Sequence, residues 1–176
     1  MNNNFSVYLR RPKAEDKALL TEAYAQSKFL HEPFVFAPIN IDLYVAQENC
    51  YLVCDKTHHH IIGTFNISNI VRGWFQSGYL GYAVFSPFQQ QGLMHQGLLL
   101  VIEEAFTTLN LHRVEANIQP ENIASINLVA KAGFVKEGYS KNYLCIGGKE
   151  WKDHERWALV NNNWKEEITA TNHRNC

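Results

Sequence analysis

The chain has 176 residues, with 16 basic against 17 acidic side chains and a formal charge of −1 at neutral pH. That balance excludes a global field drawing it to nucleic acid or anionic lipid, and a composition 46% apolar and 19% charged excludes a disordered chain. No stretch approaches the ~20 apolar residues of a membrane-spanning helix, Met1-Asn2-Asn3-Asn4 lacks the parts of a secretory leader, and four cysteines are too few for a disulfide framework. The expected compartment is the cytoplasm.

Phe5 to Arg11 alternates apolar and polar residues, with Phe5, Val7 and Leu9 on one face, and reads as an opening strand that Pro12 ends. Asp16 to Phe29 reads as a helix with Leu19, Leu20, Ala23 and Tyr24 on one stripe. An aromatic loop follows, and Ile41 to Asn49 is a second, shorter helix. Tyr51–Cys54, Ile61–Ile70 and Tyr79–Phe85 form an expected antiparallel meander joined by polar or glycine-bearing turns. Gly92 to Leu109 is the strongest helical pattern, with Leu98, Val101, Ile102, Ala105 and Phe106 at helical spacing. Then come a strand, Arg113–Ile118, a helix, Ser125–Ala132, stopped by Gly133, and a closing hairpin of Phe134–Cys145 and Trp151–Val160 across Gly147-Gly148. Residues 1–160 read as one domain of α+β layout with a mostly antiparallel sheet. Residues 161–176 read as a polar, frayed tail.

Two constellations carry chemistry. Gln89-Gln90-Gln91-Gly92-Leu93-Met94 stands between a strand and the best helix. Such a junction leaves the first helical N–H groups without intrahelical partners, and together with the helix dipole they suit a nucleotide pyrophosphate. Glycine at 92 keeps a Cβ out of the approach. Taken alone this pattern is as well explained by a plain turn; several-glycine dinucleotide and Walker loops fit worse. Thirty residues on stands Asn122-Ile123-Ala124-Ser125-Ile126-Asn127-Leu128, followed by Lys131-Ala132-Gly133-Phe134. Asn122 can cap the helix or bond a cofactor amide, and Ser125 places a hydroxyl at the helix start.

From Gly81 to Phe134 these motifs resemble the acetyl-CoA-binding core of the GNAT acetyltransferases, whose pattern is Gln/Arg-x-x-Gly-x-Gly/Ala after a strand, then Asn-x-x-Ser-x-x-Leu-x-x-x-Gly-Phe. Gln89 and Gly92 match; Gln90 stands where glycine is common, and Met94 replaces the last small residue, as in the RimJ/RimL type of ribosomal-protein N-terminal acetyltransferase. The segments Phe29-Leu30-His31, Glu137–Leu144 and Trp151-Lys152-Asp153-His154 resemble that type too.

The resemblance implies a GNAT fold whose central sheet has splayed strands, with acetyl-CoA as co-substrate. It assigns cofactor contacts to Val84, Phe85, Gln89, Gln90, Gln91, Gly92, Leu93, Met94, Asn122, Ser125 and Asn127, with a backbone N–H of Val84 or Phe85 polarising the thioester. Ser125 is the expected acid for the departing thiolate, with Tyr139 and Tyr143 as alternative donors. Related enzymes often place a carboxylate where this chain has Asn142, so Glu115, acting through water, is the substitute base. Phe29, Leu30, His31 and Asn142 are expected to line the acceptor pocket. The expected acceptor is the N-terminal α-amine of a protein, such as a ribosomal protein, because an α-amine with a pKa near ~8 needs less help from a base than a lysine near ~10.4. Alternatives are a small amine (antibiotic, polyamine or amino acid), or a non-catalytic acyl-CoA-sensing or ribosome-binding module. Neither nucleic-acid nor membrane binding is expected, and the chain is expected to be a monomer or homodimer.

Cys50-x-x-x-Cys54 and His58-His59-His60 are read as strand and hairpin residues without a metal. Cys145 is read as a strand residue, and Trp74-Phe75 and Trp151 as core or hairpin packing.

Overall fold

The computed structural model describes residues 4–32, 34 and 40–165. Its strands are β1 (Val7–Arg10), β2 (Cys50–Asp55), β3 (Ile61–Val71), β4 (Ser77–Val84), β5 (Arg113–Ile118), β6 (Val135–Ile146) and β7 (Glu150–Val160). Its α-helices are α1 (Lys17–Gln26), α2 (Lys28–His31), α3 (Ile41–Ala46), α4 (Leu93–Thr107) and α5 (Ile123–Lys131). The strands form one sheet in the order β1-β2-β3-β4-β5-β7-β6. Every neighbouring pair is antiparallel except β4–β5. That parallel step needs a crossover, and α4 supplies it.

Alternation along each strand divides the sheet into two faces. Val53, Phe65, Leu80, Val114 and Ala116 meet Leu98, Val101 and Ala105 of α4 and Val129 of α5 in the larger core. Leu52, Cys54, Ala83 and Phe85 meet Leu20, Tyr24 and Tyr44 of α1 and α3 on the other side. Gly97 lets α4 lie close, since a Cβ there would meet Val53 Cγ2 at 2.8 Å and Phe65 Cε2 at 3.2 Å. The start of α1 is tied to β1 by Asp16, which is buried and takes two hydrogen bonds from Arg10, at 2.6 and 2.7 Å. The Arg10 guanidinium holds its carboxyl below the usual carboxylate range.

Several elements depart from expectation. The first long helix ends at Gln26 and a separate short one begins at Lys28, because the buried Ser27 between them accepts the Ser86 N–H at 3.0 Å. Leu19 is exposed rather than on the buried stripe, which runs through Leu20 and Tyr24. The helix expected from Ser125 starts at Ile123 with Asn122 as its cap. Trp74, Phe75 and Trp151 are exposed and pack into neither core. The tail begins ordered, with Asn161 N–H on the His112 carbonyl (2.8 Å) and Trp164 Nε1 on the Asn110 carbonyl (3.0 Å); the rest of it, 166–176, lies outside the described residues.

Candidate active site

The site begins where β4 and β5 part. Their pairing covers only Ser77↔Arg113, Gly78↔Val114 and Tyr79↔Glu115, although both strands continue. Phe85 N–H donates to the Ile62 carbonyl at 2.8 Å, which makes Ile62 and Phe85 a hydrogen-bonded antiparallel pair. Counting back by two along the register, Thr64/Ala83 and Asn66/Gly81 are bonded pairs as well. The residues between them, Tyr82 and Val84, therefore turn their backbone groups away from β3, into the gap. The Val84 carbonyl accepts from His31 Nε2 at 2.7 Å. Of the two expected backbone donors, Phe85 is thus excluded, because its N–H is used within the sheet and its ring is buried against Tyr24. Val84 keeps an N–H facing the opening, and Tyr82, unforeseen, adds a second.

After β4 the chain runs into the loop that opens α4. Gly92 caps this helix at φ 74° with no side-chain cap, and open space surrounds the place where its Cβ would be. The N–H groups of the first turn are left for an incoming acceptor, the condition a diphosphate requires. Gln90 also adopts a positive φ, 61°, and its exposed side chain points to solvent rather than into the turn. Gln91 Nε2 braces the loop on the Pro87 carbonyl at 2.8 Å. Gln89 Oε1 is buried without a partner among the described residues, an acceptor suited to a donor brought by the cofactor. The loop therefore fits coenzyme A.

The gap itself is a cavity of about 100 Å³ that brings together Tyr82, Asn117, Gln119, Asn122, Ser125 and His154. Asn122 caps α5, its Oδ1 accepting the Ser125 N–H at 3.1 Å. Ser125 is half-buried in the first turn, and its carbonyl receives the Tyr82 hydroxyl at 3.5 Å. Burial pushes Tyr82 up to about 12, so it remains a phenol. Asn127 points from α5 into solvent.

A second cavity of about 340 Å³ adjoins the first, sharing Leu80, Gly81 and Asn117 and extending to Ser68, Tyr79 and Tyr143. Among the described residues no carboxylate lines it. Burial raises the Tyr79 pKa, and Glu115 and Tyr143 add to the shift.

The other expected site residues lie elsewhere. Glu115 lines neither cavity; it accepts from Arg113 Nε at 2.8 Å, and Arg113 also pairs with Glu137. Tyr139 donates to Asp153 Oδ2 at 2.6 Å, outside both cavities. Asn142 is exposed in a bulge of β6, its N–H on Asp153 Oδ1 at 2.8 Å. These two donors hold the Asp153 carboxyl below its ordinary value. His31 is buried against Tyr24 and Phe85, where it supports the end of β4, while Phe29 is exposed and Leu30 half-buried. The His58–His60 run caps a turn: Asp55 accepts the N–H groups of Thr57, His58 and His60, at 2.6–3.0 Å. Asn117 and His154 were missed. The strict alternation of β5 gave a signal for the first, and the position of His154 opposite Ser140 depends on pairing that local pattern does not carry.

A depression of about 600 Å³ along β1 and α4 contains none of these groups and lies at the far edge of the sheet.

Comparison with known proteins agrees with this geometry. The sequence model of the acetyltransferase (GNAT) domain matches residues 6–135. The [ribosomal protein uS5]-alanine N-acetyltransferase of Escherichia coli (strain K12) is 44% identical over 110 residues, 62% of this chain and 56% of that protein. The match thus spans little more than half of that relative's length. The ribosomal-protein-S5-alanine acetyltransferase of Vibrio fischeri superposes with a TM-score of 0.80 at 29% identity, over 93% of this chain and 98% of that one. Mycobacterium smegmatis RimJ, solved in complex with CoA-disulfide, shares the fold with a TM-score of 0.77 at 24% identity, over 88% and 81%. Parted parallel strands over a glycine-capped helix, within a family match covering well over half the chain, place this protein in the GNAT acetyltransferase family.

Proposed function

We propose that this chain transfers the acetyl group of acetyl-CoA to a primary amine, namely the N-terminal α-amine of a protein such as a ribosomal protein. The observation that carries the reading is the opening between β4 and β5, where the outward-turned backbone of β4 borders a cavity lined by Ser125, in a chain whose crossover helix α4 starts at an uncapped Gly92. Acetyl-CoA supplies the activated acyl group. The first-turn N–H groups of α4 would hold its diphosphate, and the Val84 N–H would donate to the thioester carbonyl, stabilising negative charge as it develops there. Ser125 stands in the same cavity to return a proton to the sulfur.

The adjoining cavity supports the choice of acceptor. Among the described residues its walls are amides, a hydroxyl, phenols and the apolar Leu80 and Leu144, with no carboxylate, which suits a peptide segment and gives a polycation no counter-charge. The similarity to enzymes named for acetylating the alanine of a ribosomal protein supports the same acceptor.

The test is release of the coenzyme A thiol with peptides starting in Ala or Ser, set beside spermidine and an aminoglycoside. Turnover is expected on the peptides. Turnover on the polyamine or antibiotic alone would overturn the acceptor assignment; tight coenzyme A binding with no turnover on any amine would overturn the catalytic reading.

A further inference from the structure

We propose that His154 is the proton acceptor for the attacking amine, a deepening that rests on the acetyl-transfer reading above. The ring is only 2% exposed and lines the gap between β4 and β5, in the same cavity as Ser125. Its Nδ1 lies 2.9 Å from the Lys152 carbonyl. A carbonyl only accepts, so Nδ1 carries the hydrogen, and in the neutral ring the lone pair belongs to Nε2. Nε2 has no partner among the described residues.

A second, independent group points to the same ligand. Asn117 lines both cavities, and its Oδ1 is buried without a partner among the described residues. Two acceptors without donors, where the acyl-side and acceptor-side cavities meet, fit a group that brings only N–H bonds. A primary amine is such a group. The carboxylate expected for this task, Glu115, is tied to Arg113 and lines neither cavity.

The step balances. The amine nitrogen forms the C–N bond as the C–S bond breaks, one N–H proton passes to His154 Nε2, and the thiolate receives a proton from Ser125, which solvent restores as the imidazolium gives up its own. The groups around the ring leave the task to it. Tyr82 of β4 stays protonated, and Tyr143 of β6 lies 6.2 Å away ring to ring. On β7, Asp153 is held by Tyr139 and Asn142, and Glu155 by Lys136. Among the described residues lining the cavity, β5, α5 and the turn between them bring the uncharged polar groups Asn117, Gln119, Asn122 and Ser125.

The experiment has two parts. The first follows kcat/KM against pH for the wild type and His154→Gln on a peptide substrate, with the coenzyme A dissociation constant of each. The variant is expected to lose about 10²-fold in kcat/KM at pH 7 and to recover part of it at high pH, where the amine is already neutral, with coenzyme A affinity unchanged. A wild type that turns over and a variant within about threefold of it across the pH range would overturn the role of His154 alone. A wild type that binds coenzyme A and never turns over would overturn the acetyl-transfer reading and this step with it. The second part reads the imidazole ¹⁵N shifts of the wild type, independent of turnover or of how the variant folds. The hydrogen is expected on Nδ1; a neutral ring protonated at Nε2 would overturn the proposal.

Discussion

Replacing Gly97 by alanine sets two effects of opposite sign against each other. Position 97 is inside α4, where exchanging glycine for alanine adds about 1 kcal/mol through helix propensity alone. The new methyl, however, would sit 2.8 Å from Val53 Cγ2, 3.0 Å from Val53 Cγ1 and 3.2 Å from Phe65 Cε2. Val53 and Phe65 are fully buried, and Val53 is β-branched with little rotamer freedom, so the helix rather than the neighbour must move. Overpacking of this kind costs about 1–3 kcal/mol, and the absence of slack places this site in the upper part of that range. The net expectation is a loss of about 1–2 kcal/mol, or about 2–8 °C in Tm for a domain of this size. Urea melts at pH 7 read it as a lower midpoint at unchanged slope. Because α4 carries the Gly92 loop, coenzyme A affinity should fall as well. A variant that is more stable than the wild type would refute the close contact between α4 and the sheet.

Other substitutions isolate single contacts. Asp16→Asn removes charge-assisted bonds to Arg10 and should cost about 2 kcal/mol at pH 7. The carboxyl is held below its ordinary value, so its contribution is complete above the unfolded pKa of ~3.9 and disappears as pH falls through the lower native value. Melts at pH 7 and near pH 2 should therefore show a penalty that closes in acid; a penalty equal at both would rule out a charge effect. Ser125→Ala should reduce kcat by about 10² with coenzyme A affinity held within about twofold, measured by thiol release and calorimetry; unchanged turnover removes the hydroxyl from the proton path. Tyr139→Phe loses only the bond to Asp153 outside both cavities, so kcat/KM should stay within about twofold, and a large fall would return that phenol to the chemistry.

Local signals made much of the fold readable. The β5 limits Arg113–Ile118 follow from alternation, and the α4 pattern from Leu98 to Ala105 reports the face it buries. The α5 motif with Asn122 and Gly133 was legible because capping is local chemistry. Longer-range facts left less trace. Nothing near residue 77 or 113 tells that these strands run parallel for three pairs and then diverge, nor that β7 inserts between β5 and β6. The same limit governed the site. Sequence alone leaves Phe85 a candidate donor and Glu115 a free carboxylate; the pairing of the Phe85 N–H with Ile62 and of Glu115 with Arg113 exists only in the folded sheet. Asp153 and His154 stood in a stretch already singled out by resemblance, yet without a role, since their surroundings come from β6 and β5.

The short contact between β4 and β5 has a consequence for the whole molecule. Three residue pairs of strand register join a four-stranded half-sheet to a three-stranded one, and the core the two halves share beneath α4 supplies the rest of the connection. An extended guest lying in that seam would complete the lacing and link one half to the other. Any guest that binds only the folded form adds stability by mass action, about 2.7 kcal/mol at a hundredfold excess over its dissociation constant. Heat tolerance and amide-exchange protection of these strands should therefore follow the supply of coenzyme A, so that the cell's acyl-carrier level sets how firmly this sheet is held together.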